Sequence, residues 1–213
     1  MRRSLIALAP LLMIGACGPV GGPGTPAATA SSVAVQSSDL PSGMHRCDLS
    51  GDIASYLKKI QTKDPGTYST IKAQWDAAKK DGATAADVEF YTDSTANCTS
   101  LESNGSQIST ATYKLVVNFV FQFKDEASAA KGYTTDSIFG FSAASLKSSQ
   151  VPVTEGTATG LGANSIVLTV AISSQSFYVA VWQHKQFMVI LGILNIDTAA
   201  DKKIALAENG RIH

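Results

Sequence analysis

Histidine and cysteine are both scarce in this 213-residue chain, three of each. His45 stands two residues before a cysteine, His184 falls in a short polar break between apolar runs, and His213 is the last residue. A serine nucleophile activated by a histidine base needs a histidine held by the fold beside it, and none of these positions promises one. Charge of one sign is missing as well, since 17 Lys and Arg balance 17 Asp and Glu. Nucleic-acid binders carry a basic patch, whereas the lysines here are dispersed, as in Lys58-Lys59, Lys79-Lys80 and Lys202-Lys203, on polar helix faces. Long apolar runs are absent too. The stretch Leu5 to Ile14, interrupted by Pro10, covers about ten residues where a membrane-spanning helix needs about twenty.

Motifs that would carry chemistry are equally thin. Gly140-Phe141-Ser142-Ala143-Ala144 echoes a nucleophile elbow, but alanine replaces the final glycine and no strand feeds directly into it. Gly156, Gly160 and Gly162 make a glycine-rich loop that runs into a strand, while a phosphate cradle needs a helix N-terminus behind it. Asp48, Asp52, Asp64 and Asp125-Glu126 lie at predicted helix entries, where negative charge suits the dipole, and no aspartate-rich calcium loop occurs. No catalytic residue, no metal site and no cofactor is expected.

What the chain does have is an address. Arg2-Arg3, the apolar segment and the small residues Gly15-Ala16 before Cys17 form an export signal. Ile14-Gly15-Ala16-Cys17 resembles the lipobox of bacterial lipoproteins, with every position matched. That resemblance implies cleavage after residue 16, a diacylglyceryl thioether on Cys17 and often a further fatty chain of the palmitate type on the new amino terminus. Two or more chains anchor stably, since each buried methylene contributes about 0.8 kcal/mol. Partition into a signal (1–16), a lipidated Cys17 with flexible linker (17–38) and a folded body follows. The linker expectation rests on Gly18 to Ser38 being Gly, Pro, Ala, Ser and Thr with a few valines, a single glutamine and no charge, too little to offset ordering entropy. Processing leaves 15 basic and 17 acidic residues, a formal charge of −2.

With Cys17 assigned to lipid, Cys47 and Cys98 remain, and an exported pair is most simply a disulfide. A metal site on His45 and Cys47 lacks two further convincing ligands. The body reads as α+β: a helical pair stapled to a mostly antiparallel sheet with helices packed on it, divided into a helical part (39–105) and a sheet part (106–213) of one compact unit. Ser50 is placed to cap a helix with Ile53, Tyr56, Leu57 and Ile60 on one face, and Asp64-Pro65 opens a second carrying Tyr68, Ile71, Trp75 and Ala78 until Gly82. Val88 to Thr92 reads as a short strand, and Ser94 to Gly105 as an irregular connection.

In "TYKLVVNFVFQF", Tyr113, Leu115, Val117, Phe119, Phe121 and Phe123 share one face while Lys114, Asn118 and Gln122 mark the other, a half-buried strand. Asp125 caps a helix to about Tyr133. Ser165–Ile172, Phe177–Gln183 and Phe187–Ile196 follow at hairpin spacing as a meander, closed by a helix from Asp197 or Thr198 toward Arg211. The meander is apolar on both faces, so it calls for a helix on each side or for an exposed patch used in binding. Coverage of both faces is the expected arrangement, and Tyr178 and Trp182 are the ligand-contact candidates if a groove opens beside them. The order of elements loosely resembles the PsbP/Mog1-type lipoprotein domains, and Leu40 to Leu57 the opening of uncharacterised exported lipoproteins. These resemblances imply an α/β binding or scaffolding module without shared catalytic residues. The expectation is a membrane-anchored envelope lipoprotein facing the extracytoplasmic side, binding a small molecule, lipid, glycan or envelope protein and no nucleic acid. A tethered envelope hydrolase and a structural envelope component are the alternatives.

Overall fold

The computed structural model describes residues 27–172 and 175–213; the lipobox and Cys17 lie outside them. In chain order the elements are α1 (Ala30–Val33), β1 (His45–Arg46), β2 (Gly51–Asp52), α2 (Ile53–Lys63), α3 (Pro65–Lys80), β3 (Ala83–Thr92) and α4 (Thr95–Ser103). There follow β4 (Leu115–Phe123), α5 (Glu126–Thr135), α6 (Ala143–Ser148), β5 (Val153–Glu155), β6 (Ser165–Ile172), β7 (Gln175–His184), β8 (Phe187–Leu194) and α7 (Thr198–Gly210). All strand pairs are antiparallel, in the order β1-β3-β4-β8-β7-β6-β5, with β2 also on β3. The fold is α+β, as the alternation of apolar stripes and strand runs requires.

The caps explain the helix starts. Asp52, not Ser50, opens α2: its carboxylate accepts the Ala54 and Ser55 amides at 3.0 and 2.9 Å, while the Ser50 hydroxyl accepts the Phe90 amide at 2.9 Å. Asp64 accepts the Thr67 amide, with Pro65 as the first helical residue. The stripes Ile53, Tyr56, Ile60 and Ile71, Ala78 are buried against the sheet. The connection expected after Asp93 is instead α4, opened by Ser94, whose hydroxyl accepts the Asn97 amide. This helix carries Cys98 to Cys47, with Cα atoms 5.2 Å apart in a disulfide. A closed loop of 51 residues constrains the unfolded chain by roughly 4 kcal/mol in the loop-entropy model.

Each face of the sheet has its own core. On the inner face α2, α3, α4 and α5 pack over a set that includes Val88, Phe90, Phe119 and Phe121. On the outer face α7 and the segment 28–40 cover Tyr91, Val116, Val120, Tyr178, Trp182 and Leu191. β4 is therefore buried on both faces rather than one, and Asn118, expected to face solvent, is fully buried.

The segment 28–40 corrects the expectation of a flexible linker up to residue 38. Thr29 caps α1 through the Ser32 amide, and Val33, Ala34 and Val35 are buried. Arg211, just past α7, donates to the Val33 and Ala34 carbonyls at 3.0 and 2.9 Å and to both oxygens of Asp39 at 3.1 and 2.9 Å. Tyr91 donates its hydroxyl to the Val35 carbonyl. Averaged composition hides this docking because Ala30, Val33 and Val35 find their apolar partners on a surface assembled from distant sequence.

Candidate functional site

The inner face is not covered evenly. Beyond the reach of α2 and α3, the strands β4, β8, β7 and β6 form the floor of an apolar groove holding about 300 Å³. Val117, Phe119, Ile190, Leu194, Phe177, Val179, Leu168 and Val170 floor it, with Gly192 in the middle; Ile108, Ile138, Phe139, Phe141 and Val151 stand over it. Every lining side chain is hydrocarbon. A polar group pushed into such a site loses its water without compensation, at a cost of at least about 1–3 kcal/mol, so the groove selects for apolar atoms.

Its wall is built by a tight turn between α5 and α6. Ile138 and Phe141 exchange backbone hydrogen bonds at 3.0 and 2.8 Å, and the two residues between them, Phe139 and Gly140, have φ of 51° and 80°. Glycine accepts this readily; phenylalanine in the left-handed region is an outlier that the surroundings must enforce. The enforced conformation holds the Phe139 ring edge-on to Phe119, centroids 5.8 Å apart. At the rim Ile172 is 60% exposed on the end of β6. There β6 runs beyond β5, which pairs only with residues 166 to 168.

Tyr178 and Trp182, the candidates from sequence, are not in the groove. They are 4% and 0% exposed and lie in the outer core that α7 and the segment 28–40 cover. The groove takes the alternate residues of the same strand, Phe177 and Val179. Side chains alternate across a strand, and when both alternating sets are apolar only the packing of distant helices decides which is left open. Gly192 escaped the reading because an isolated glycine in an apolar run signals a bulge or a close approach rather than a hollow.

A wider hollow of about 480 Å³ lies around Tyr133, Lys147, Glu155 and Asn164. Its lining mixes polar and apolar side chains, and it holds the solvent-exposed Lys147–Glu155 ion pair. The buried hydroxyl in its lining, Ser165, is already bonded to Thr159 and to the Gly156 and Gly162 carbonyls, leaving the apolar groove as the better candidate.

Ser142 and His184 have structural partners. Ser142 caps α6 through the Ser145 amide. His184 shares a hydrogen bond with Asn209 at 3.0 Å, and His45 is exposed on β1. Among the described residues no group of three or more His, Cys, Asp or Glu side chains is placed to hold a metal ion, and no helix is long and apolar enough to cross a membrane.

The outer face carries its own electrostatic feature. Asn118 accepts the Val35 amide at 3.0 Å and donates to Glu208 at 2.8 Å. Glu208 is 0% exposed, and its second oxygen has no hydrogen-bond partner. Burial pushes its carboxyl up to about 8 against the opposing hydrogen bond from Asn118 and the charge of Arg211. Asp201, one helical stretch earlier, is raised to about 7 by burial and by Asp197. On β3, burial and the neighbouring Glu89 raise Asp87 to about 6, while Glu89 itself is held by Arg46 through two bonds of 2.6 Å.

No protein-family model and no curated protein sequence matches this chain. Among solved structures, the extracellular domain of PknH from Mycobacterium tuberculosis is similar at 13% identity and a TM-score of 0.49, over 86% of this chain and 94% of that one. A likeness at that level carries nothing about ligand or activity.

Proposed function

We propose that this protein is an exported, lipid-anchored, non-catalytic module of the bacterial cell envelope that holds the hydrocarbon part of an apolar small molecule or lipid in the groove of its inner sheet face. The carrying observation is the carbon-lined groove of about 300 Å³, within the size range of small-molecule sites. The lipobox Ile14-Gly15-Ala16-Cys17 supports a membrane tether through Cys17, and the Cys47–Cys98 disulfide fits an oxidising compartment.

A water-sized group occupies about 30 Å³, so the groove takes roughly ten methylenes. At about 0.8 kcal/mol each these contribute roughly 8 kcal/mol gross, against at least about 4 kcal/mol for lost freedom. The test is a titration of dodecanoate into the full Cys17→Ser chain, purified without detergent and followed by methyl NMR. The expected result is saturable shifts at Val117, Val179, Ile190 and Ile172 with a Kd below about 1 mM, and none at Val189 or Leu191 on the outer face. Absence of saturable shifts, or shifts centred on the outer face, would overturn the reading.

A further inference from the structure

Gly192 lies in β8, two residues before its end, paired with Val117 on β4 and Val179 on β7, so that it is flanked by strands on both sides. A glycine in a central strand gives up packing and adds entropy to the unfolded chain, and so destabilises the strand relative to alanine. The usual structural reasons for accepting that cost are missing. Its φ is not in the left-handed region, and a Cβ built on it would meet nothing nearer than the Val117 carbonyl oxygen at 3.9 Å, an ordinary contact. Gly132 shows the contrast, because a Cβ there would lie 2.5 Å from the Phe123 ring. At Gly192 the backbone and its neighbours would admit a side chain, and the space is left as groove.

The shape of that space follows from the strand. Residues 188, 190, 192 and 194 of β8 point to the inner face, and the others are Met188, Ile190 and Leu194. The hollow above Gly192 is thus one side chain long between Ile190 and Leu194. Across the sheet it is bounded by Val117 and Val179, two strand spacings apart, roughly 9.6 Å. Once the valine side chains and contact distances of about 3.5–4 Å are subtracted, the deepest part of the groove, directly above Gly192, is a slot of single-chain width within a floor of four strands. Phe139 closes over Phe119 at one side.

We propose that Gly192 sets the depth of the groove, and that the ligand part lying across it is a single unbranched hydrocarbon chain of about ten carbons rather than a fused-ring body. This rests on the binding reading above and names its ligand class and its specificity-determining residue. Each methylene kept out of the slot weakens binding about fourfold.

The test compares wild type, Gly192→Ala and Gly192→Leu in the full Cys17→Ser chain, using dodecanoate and the fused-ring amphiphile cholate as probes and urea unfolding as the control. The expected result is an unfolding midpoint at or above wild type for both variants. Dodecanoate binding should weaken at least tenfold in Gly192→Leu and by a smaller factor in Gly192→Ala, with cholate the weaker ligand of wild type. Three results would overturn the proposal: folded Gly192→Leu binding dodecanoate within twofold of wild type, loss of folding in either variant, since the space would then not be open, or cholate binding more tightly than dodecanoate. Failure of wild type to bind dodecanoate at all would instead remove the binding reading on which the proposal stands.

Discussion

Replacing Glu208 by glutamine should flatten the dependence of this protein's stability on pH. The Glu208 carboxyl is buried, bonded through one oxygen to Asn118, and raised from an ordinary 4.5 to about 8. An acid whose pKa is raised by folding binds its proton more tightly in the native state, so the native state holds more protons than the unfolded chain between those two values. Stability then falls as pH rises, beginning near 4.5 and completing above about 8. At about 1.36 kcal/mol per pKa unit the full loss is bounded near 5 kcal/mol, comparable with the whole stability of many domains. The charges facing the carboxyl are Arg211, which opposes the shift, and Asp39, which adds to it. Glutamine keeps an oxygen for Asn118 but never ionises. Urea unfolding of wild type and Glu208→Gln, each at pH 5 and pH 9, isolates the residue as a double difference, because Asp201 and Asp87 titrate in both proteins. The variant should gain at least about 2 kcal/mol on wild type in going from pH 5 to pH 9. Parallel profiles for the two proteins would refute the argument.

Arg211→Ala removes four hydrogen bonds to the segment 28–40; with bonds to charged groups worth about 1.5–3 kcal/mol, the segment should become cleavable by protease while the sheet stays intact, and an unchanged digestion pattern would count against the clamp. Cys17→Ser should move the protein out of the membrane fraction of the producing cell, as expected if one residue carries the anchor; a mutant that stays membrane-bound would remove the lipid reading.

Much of the architecture is legible locally. The i, i+3, i+4, i+7 stripe of Ile53, Tyr56, Leu57 and Ile60, the Asp64-Pro65 start and the runs that became β6, β7 and β8 depend on neighbours within a few residues. The cysteine pair followed from counting. What failed depends on surfaces that exist only after folding. α4 carries almost no amphipathic pattern, and its helix is fixed by Ser94 at one end and by the Cys98 bridge to Cys47. Only the second half of β3 was foreseen, because its first half, Ala83 to Asp87, offers small residues and an acid rather than a strand-like run, and Asp87 is nonetheless buried in the sheet. Tyr178 and Trp182 lie on the strand that floors the groove but on its other face, a distinction that alternation alone cannot make when Phe177 and Val179 are equally apolar. Gly192 was visible as a letter, but its meaning requires knowing that nothing occupies the space above it.

The grip of Arg211 on Val33 and Ala34 also settles how the molecule presents itself. It joins Val33 and Ala34 to Arg211, so Ala28 and Ile212 both lie on the outer side of the sheet, with the groove on the other. If Cys17 carries the proposed lipid, the eleven peptide steps from Cys17 to Ala28 limit the tether to at most about 40 Å. A reporter fused after His213 would then stand on the same side as that tether. A ligand of the proposed groove would approach from the opposite side, facing away from the membrane.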